Sequence, residues 1–266
     1  MSDDRLDEVV ARVRELRAGY TLPDFGHVPD PDSALFLCAV DHKAGYQRAH
    51  RVEGRGPFRG SALLWELGLR TARERPGWLT AAALQSVDES EVAEGFRIDG
   101  ETVADPARRA ALWRELAAGL IRDHDGRAER LLAAGAGRLG GAKGLLQRLS
   151  RYRAFADPLA KKAQLFAKIA ERRGWFDVSD PEAWQVSADS VLMRLALRSG
   201  LVEPGELESV REQTLDAFAR VATASRISPP VLDDMLWELG REDSDLLGRF
   251  AGDLSEPPRN PGSAWY

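Results

Sequence analysis

Residues 186–200, VSADSVLMRLALRSG, contain the signals that decide the fold. Asp189 precedes an apolar run with helical spacing, and an aspartate at such a position accepts hydrogen bonds from the free amides of the first turn. Gly200 follows the run, where glycine commonly ends a helix because it adopts positive φ angles without steric cost. The stretch therefore predicts a capped amphipathic helix, and the same start and stop signals recur along the chain.

Four dipeptides place a capping side chain before a proline, a combination that favours the first turn of a helix. They are Asp105-Pro106, Asp157-Pro158, Asp180-Pro181 and Ser228-Pro229. Ser33 is predicted to cap the apolar segment ALFLCAV that follows it. Gly174 and Gly240, like Gly200, stand just beyond periodic runs and predict helix ends.

The main strand signal is FRIDGETV, because Asp99-Gly100 is suited to a tight turn between two short strands. Helix signals dominate the rest of the sequence. We therefore predict an all-α protein of about ten helices, with at most a short β-hairpin near residues 97–103. Because no long linker interrupts the pattern, we expect one domain over residues 1–266. The C-terminal segment SEPPRNPGSAWY ends in two aromatic residues, so we expect it to fold back on the body.

The composition limits the class of protein. With 266 residues and 44% hydrophobic content, the chain can bury a substantial core. A net charge of −5 argues against long nucleic acid as a partner, since a polyphosphate repels an acidic surface. Cys38 is the only cysteine, which excludes an intrachain disulfide and the usual zinc patterns. We expect a cytoplasmic monomer that needs neither a metal nor an organic cofactor.

No apolar run approaches the roughly 20 residues that a membrane-spanning helix requires, and the first residues, MSDDRLDEVVARVREL, are highly charged. Leu6, Val9, Val10 and Val13 recur within them at helical spacing. We therefore expect an amphipathic helix there, with neither a signal peptide nor a membrane segment.

Residues 138–173 form a basic segment in this acidic chain, with ten lysines and arginines against two acidic residues. A solvated face of two helices accounts for such a run as well as a phosphate site does. The phosphate interpretation rests on Lys161 and Lys162, which would lie in the first turn of a helix that starts at Asp157-Pro158. Free amides and the helix dipole favour an anion at that position.

Acidic side chains gather at two predicted helix starts. As an N-cap, Asp189 would contribute about 1 kcal/mol to its helix, and the local sequence favours this structural role over a substrate contact. The second group is Asp233, Asp234 and Glu238 in PPVLDDMLWELGRED. The first two also favour the dipole of a helix that starts at Ser228-Pro229. The residues alone therefore leave structural and functional interpretations open.

Taken together, six segments resemble the queuosine salvage proteins. These are N-glycosylases that release queuine from queuosine 5′-phosphate, and they are related in fold to helix-hairpin-helix DNA glycosylases. The resemblance covers nearly the whole chain in one order. Its segments are GSALLWELGLRTARER, DESEVAEGFRIDGETVADPARRAALWRELAAGL, AGRLGGAKGLLQRLSRYRAF, KKAQLFAKI, VSADSVLMRLALRSGLV and VLDDMLWELGR.

The resemblance implies a set of site residues. Asp189 and Asp233 would contact the nucleobase, His27 would line the pocket, and Lys161 or Lys162 would hold the 5′-phosphate. The catalytic aspartate of the family falls on Glu238, with Trp237 packing beside it. Ser187 replaces an aromatic residue that would stack on the base, and Asp41 and His42 stand where the family has an aromatic-rich segment.

These residue types suit the chemistry. Cleavage of an N-glycosidic bond develops positive charge on the sugar, which an ionised carboxylate can stabilise, while a second carboxyl group contacts the departing base. Glu238 is one methylene longer than the family's aspartate, so an altered base preference or loss of activity is also consistent with the sequence. The alternatives are a DNA glycosylase and lyase for a damaged purine, with Lys161 or Lys162 forming a Schiff base beside Asp189, and a catalytically silent nucleotide-binding homologue.

Overall fold

A computed structural model describes residues 3–250, Pro257 and Trp265. Within these residues the chain forms twelve α-helices and one two-stranded sheet, which confirms the predicted all-α class. The helices are α1 (Asp3–Gly19), α2 (Pro31–Val40), α3 (Gly60–Glu74), α4 (Ala81–Leu84), α5 (Glu89–Gly95), α6 (Pro106–His124), α7 (Ala128–Gly135), α8 (Leu145–Leu149), α9 (Lys161–Arg172), α10 (Ser190–Arg198), α11 (Leu207–Ser225) and α12 (Pro229–Glu242). The strands are β1 (His50–Val52) and β2 (Arg55–Phe58), which pair antiparallel.

The described chain forms two compact units. The first unit joins residues 3–24 to residues 182–250, and the second comprises residues 25–181. The single domain over residues 1–266 stays a prediction. Of the segment SEPPRNPGSAWY only Pro257 and Trp265 are described, so its predicted packing lies outside the described residues.

In the first unit, α10 packs against α11 and α12, and α1 packs against α11. Each helix buries one apolar face, as Val13 of α1, Leu192 of α10, Phe218 of α11 and Met235 of α12 illustrate. The predicted N-terminal amphipathic helix is confirmed, since its apolar stripe is buried. This packing fixes the starts of α10 and α12, where the acidic residues of interest lie.

In the second unit, α2 is the central helix and packs against α6 and α9. Trp113 of α6 donates a 2.7 Å hydrogen bond to the Phe36 carbonyl of α2 and stacks edge-on against Trp78, with ring centroids 5.3 Å apart. The predicted cap at Ser33 is wrong, because α2 begins earlier, at Pro31. Asp30 is its N-cap and accepts a hydrogen bond from the Ser33 amide at 2.8 Å.

Of the four helix starts predicted from a capping residue followed by proline, only some are present. Asp105-Pro106 begins α6, and the Asp105 side chain caps it as predicted. Ser228-Pro229 begins α12, but the Ser228 side chain makes no cap hydrogen bond, and Asp180-Pro181 precedes only a three-residue 3-10 helix. The predicted helix start at Asp157-Pro158 is wrong, because the Asp157 carboxylate closes a turn instead. It accepts hydrogen bonds from the amides of Leu159 and Lys161, so α9 begins only at Lys161.

The tight turn predicted at Asp99-Gly100 is present, and the backbones of Ile98 and Glu101 pair across it. Asp99 and Gly100 both have positive φ angles, as a type I′ turn requires. The two-stranded sheet lies elsewhere, at β1 and β2, and the sequence analysis missed it. Its turn, Glu53-Gly54, also has two positive φ angles, but glutamate is not a residue that signals such a turn.

Candidate functional site

Asp189 is the N-cap of α10. Its backbone is extended, and its Oδ1 atom accepts hydrogen bonds of 2.9 Å from the amides of Val191 and Leu192. The side chain is buried, with 7% of the residue exposed. The capping role predicted for Asp189 is therefore confirmed, while its contact with a substrate stays a prediction.

Asp233 and Asp189 are brought together through Ser187. Asp233 Oδ1 accepts a hydrogen bond of 2.6 Å from the Ser187 amide, and the Asp189 amide donates to the Ser187 carbonyl at 2.8 Å. All three residues are buried. α10 packs closely on α12 at Gly240, where a side chain would collide with Leu195. Gly240 lies inside α12, so the helix end predicted there is wrong.

Glu238 lies outside this group of hydrogen-bonded residues. It is five residues beyond Asp233 on α12, about 140° further around the helix, and it is exposed. Its Oε2 atom accepts a hydrogen bond of 2.8 Å from the Tyr20 hydroxyl. Trp237 is half-buried, with the Arg241 guanidinium 4.7 Å from its ring centroid. The contact between Tyr20 and Glu238 could not be predicted from the sequence, because no local pattern links residues 218 positions apart.

In the second unit, Lys162 is almost completely buried. Its Nζ atom donates to the Ala39 carbonyl at 2.6 Å and lies 3.1 Å from His42 Nδ1. Burial, followed by the charge of Lys161, lowers the pKa of Lys162 well below its ordinary value. The neutral amine is therefore favoured at this position. The neighbouring Lys161 is partly exposed.

Asp41 and His42 follow the C-terminal end of α2 and form a buried polar cluster with Lys162. Asp41 Oδ2 accepts hydrogen bonds from Ser61 Oγ at 2.9 Å and Trp65 Nε1 at 3.2 Å. Burial lowers the pKa of His42 far below its ordinary value of 6.5. His42 is therefore neutral at physiological pH.

Arg109 is the member of this cluster that the sequence analysis missed. It is fully buried on α6, and its guanidinium donates to the carbonyls of Ala104 and His42. Burial lowers the pKa of Arg109 to about 10. Its sequence context, a charged run early in a helix, is typical of exposed arginines, so nothing local distinguishes it from Arg108.

His27 occupies a different part of the second unit. It is exposed and lines a cavity of about 440 Å³ together with Asp30, Asp32 and Thr80. The residues that line this cavity do not include Asp41, His42 or Lys162. Sequence-predicted residues of the second unit therefore fall into a buried polar cluster and a separate surface cavity.

Two further properties concern ligands and surroundings. The described residues contain no group of three or more histidine, cysteine, aspartate or glutamate side chains placed to hold a metal ion. Every helix in the described part of the chain is too short or too polar to cross a membrane.

The order and packing of these helices define the fold of the helix-hairpin-helix DNA glycosylases, as the resemblance implied. A structure of a trapped endonuclease III–DNA covalent intermediate is similar over 91% of this chain and 87% of that chain, with a TM-score of 0.56. The sequences are 11% identical, so the likeness establishes the fold alone. The sequence matches no protein-family model, and no curated protein is similar to it in sequence.

Proposed function

We propose that the protein is an N-glycosylase that hydrolyses the N-glycosidic bond of a modified nucleoside 5′-monophosphate, with queuosine 5′-phosphate as the leading substrate. The observation that carries this proposal is the pair of buried carboxylates, Asp189 and Asp233, on either side of Ser187 in a glycosylase-like fold. The resemblance to queuosine salvage proteins supplies the substrate.

The two carboxylates suit the reaction. Positive charge develops on the sugar as the bond breaks, and an ionised carboxylate in a water-poor environment stabilises that charge better than an exposed one. Hydrogen bonds from two amides orient Asp189, and the Ser187 amide orients Asp233. We propose that Asp189 and Asp233 contact the base and the glycosidic bond that joins it to the sugar. Glu238 keeps the catalytic role that the resemblance implies as a prediction, although water screens its exposed carboxylate.

The resemblance offers two lysines for the phosphate of the substrate. Lys162 Nζ contacts Ala39 and His42, whereas Lys161 is partly exposed in the first turn of α9, so Lys161 is the better candidate of the two and its role stays a prediction. The Asp157 carboxylate already accepts the Lys161 amide, however, which weakens the attraction of this helix end for an anion.

The test is release of free base. The protein is incubated with queuosine 5′-phosphate, queuosine and unmodified nucleoside 5′-monophosphates, and the base is quantified by chromatography and mass spectrometry. We expect release from the modified monophosphate, strongly reduced in Asp189→Asn and Asp233→Asn. The matched control is Asp216→Asn, an exposed aspartate on α11. Absence of release from every modified nucleotide, with the folded protein at high concentration, contradicts the proposal.

One observation favours the second candidate, a DNA glycosylase and lyase. The attacking amine of a lyase must be neutral, and burial makes Lys162 favour that form. In such a step the amine attacks the C1′ aldehyde of an abasic sugar and water leaves, which gives an iminium that borohydride reduces to a stable amine. Trapping of an abasic oligonucleotide by the protein, abolished in Lys162→Met and retained in Lys161→Met, would support this candidate over the first.

A further inference from the structure

The loop that joins α7 to α8, with the sequence AGRLGGAKG over residues 136–144, is held in place by Asp180. Asp180 accepts hydrogen bonds from the amides of Leu139 at 2.6 Å and Gly140 at 2.9 Å. Burial raises the pKa of Asp180, but these amides and Arg138 outweigh that effect and hold the pKa below its ordinary value. An ionised carboxylate therefore anchors the loop at neutral pH.

The tip of the loop is exposed. Gly141, Ala142 and Lys143 are exposed, and the structure records no acceptor for their amides within the described chain. Gly141 has a φ angle of +76°, which glycine adopts without strain. Successive amides around such a residue form concave sites that bind anions.

Three cationic side chains surround this tip. A methyl group added at Gly141 would lie 3.9 Å from Arg138 Nη2, so this guanidinium is next to the exposed amides. Arg148 Nε donates a 2.9 Å hydrogen bond to the Lys143 carbonyl, which places a second guanidinium next to the tip. Lys143 itself is exposed, and between residues 136 and 156 the chain has no acidic residue.

We infer that this basic loop, defined by Arg138, Gly141, Ala142, Lys143 and Arg148, binds a phosphate monoester group. The cations of Arg138, Lys143 and Arg148 and the amides of the exposed residues 141–143 suit the oxygens of a phosphate dianion, and the anchored backbone lowers the entropic cost of binding it. Arg138, Lys143 and Arg148 belong to the basic segment over residues 138–173, for which a phosphate site is one of the two interpretations of the sequence. Phosphate binding at this loop goes beyond the proposed function and does not depend on it.

The basic loop is better suited to phosphate than the start of α9 is. There, Asp157 accepts the Lys161 amide and Lys162 Nζ is bound to Ala39 and His42. At the basic loop the corresponding carboxylate, Asp180, accepts the amides of Leu139 and Gly140 and lies 3.9 Å from Arg138 Nη2, so the amides of residues 141–143 are left for a ligand.

The test uses the full chain, labelled with ¹⁵N, and titrates it separately with inorganic phosphate, adenosine 5′-monophosphate and adenosine. We expect both phosphates to shift the amide signals of residues 141–143 and adenosine to leave them in place. Replacement of two cations, Lys143→Gln with Arg148→Gln, should weaken phosphate binding roughly tenfold or more. Gly141→Ala keeps every charge but disfavours the positive φ angle, so it should also weaken binding.

The matched control is Arg59→Gln with Arg97→Gln, which removes two exposed cations of the same unit far from the loop in sequence. It should bind phosphate as the wild type does. Phosphate affinity that is unchanged in Lys143→Gln with Arg148→Gln overturns the inference, as do shifts confined to the first turn of α9. Steeply salt-dependent binding of single-stranded DNA without binding of phosphate also overturns it. If phosphate binds as expected but no nucleotide releases its base, the phosphate site stands and the proposed function fails.

Discussion

The Ser187 amide donates a hydrogen bond of 2.6 Å to Asp233 Oδ1, and both groups are buried. This contact ties α12 to the segment that leads into α10. A carboxylate in such a position is structural whatever else it does, because the amide would otherwise lose its partner away from water. Substitutions of Asp189 and Asp233 can therefore change both the stability of the protein and its recognition of a substrate, and the two effects need separate measurements.

Asp233→Ala should destabilise the protein by about 1–3 kcal/mol, because it leaves the buried Ser187 amide without an acceptor. Asp233→Asn keeps an oxygen that can accept this hydrogen bond, so it should cost far less. Urea unfolding checks both values. If the Asn variant is stable yet no longer releases base, the charge of Asp233 serves the reaction. Equal stability of the Ala variant and the wild type would contradict the structural part of this prediction.

Asp189→Asn should leave the melting temperature almost unchanged, since asparagine caps helices about as well as aspartate does. Asp189→Ala should cost about 1 kcal/mol, because the amides of Val191 and Leu192 lose their acceptor. If Asp189 also contacts the base, both variants should bind the nucleotide more weakly. Normal nucleotide affinity in Asp189→Asn would restrict this residue to its cap.

The sequence predicts much of this fold because helix starts and stops are local. The cap at Asp189 and the start at Pro106 depend on atoms within four residues, so short patterns identify them. Asp157 has the same local signal, yet its carboxylate turns to nearer amides and delays the helix. The burial of Arg109 could not be predicted, because its acceptor, the His42 carbonyl, lies 67 residues away.

His42 should make the free energy of unfolding depend on pH. Its pKa in the folded chain lies far below 6.5, so below that pH the unfolded chain binds a proton that the folded chain does not. Stability from this group is therefore full above pH 6.5 and falls by up to about 1.4 kcal/mol per pH unit below it. Urea unfolding between pH 5 and 8 should show the wild type losing its stability advantage over His42→Gln as the pH falls. A constant difference across this range would contradict the buried, neutral histidine.

Gly95→Ala should destabilise the second unit by about 1–3 kcal/mol. A methyl group at this position would lie 2.6 Å from Trp78 Cζ2. The indole cannot move aside easily, because it packs against Phe96 and Trp113 with ring centroids 5.8 and 5.3 Å away. The control is Gly205→Ala, where a methyl group would meet no atom within 4 Å. Identical urea midpoints for Gly95→Ala and the wild type would show that the Trp78 packing is looser than described.

Glu238→Gln should leave nucleotide affinity near the wild-type value and slow base release by on the order of a hundredfold, if this carboxylate stabilises the sugar cation. Tyr20→Phe removes the 2.8 Å hydrogen bond to Glu238 and should reduce kcat by a smaller factor with little change in KM, because it only orients the charged group. The control, Glu212→Gln, removes an exposed charge from α11. Single-turnover kinetics separate the chemical step from binding. Wild-type rates in Glu238→Gln, combined with loss of base release in Asp233→Asn, would show that Asp233 supplies the catalytic charge and that Glu238 does not.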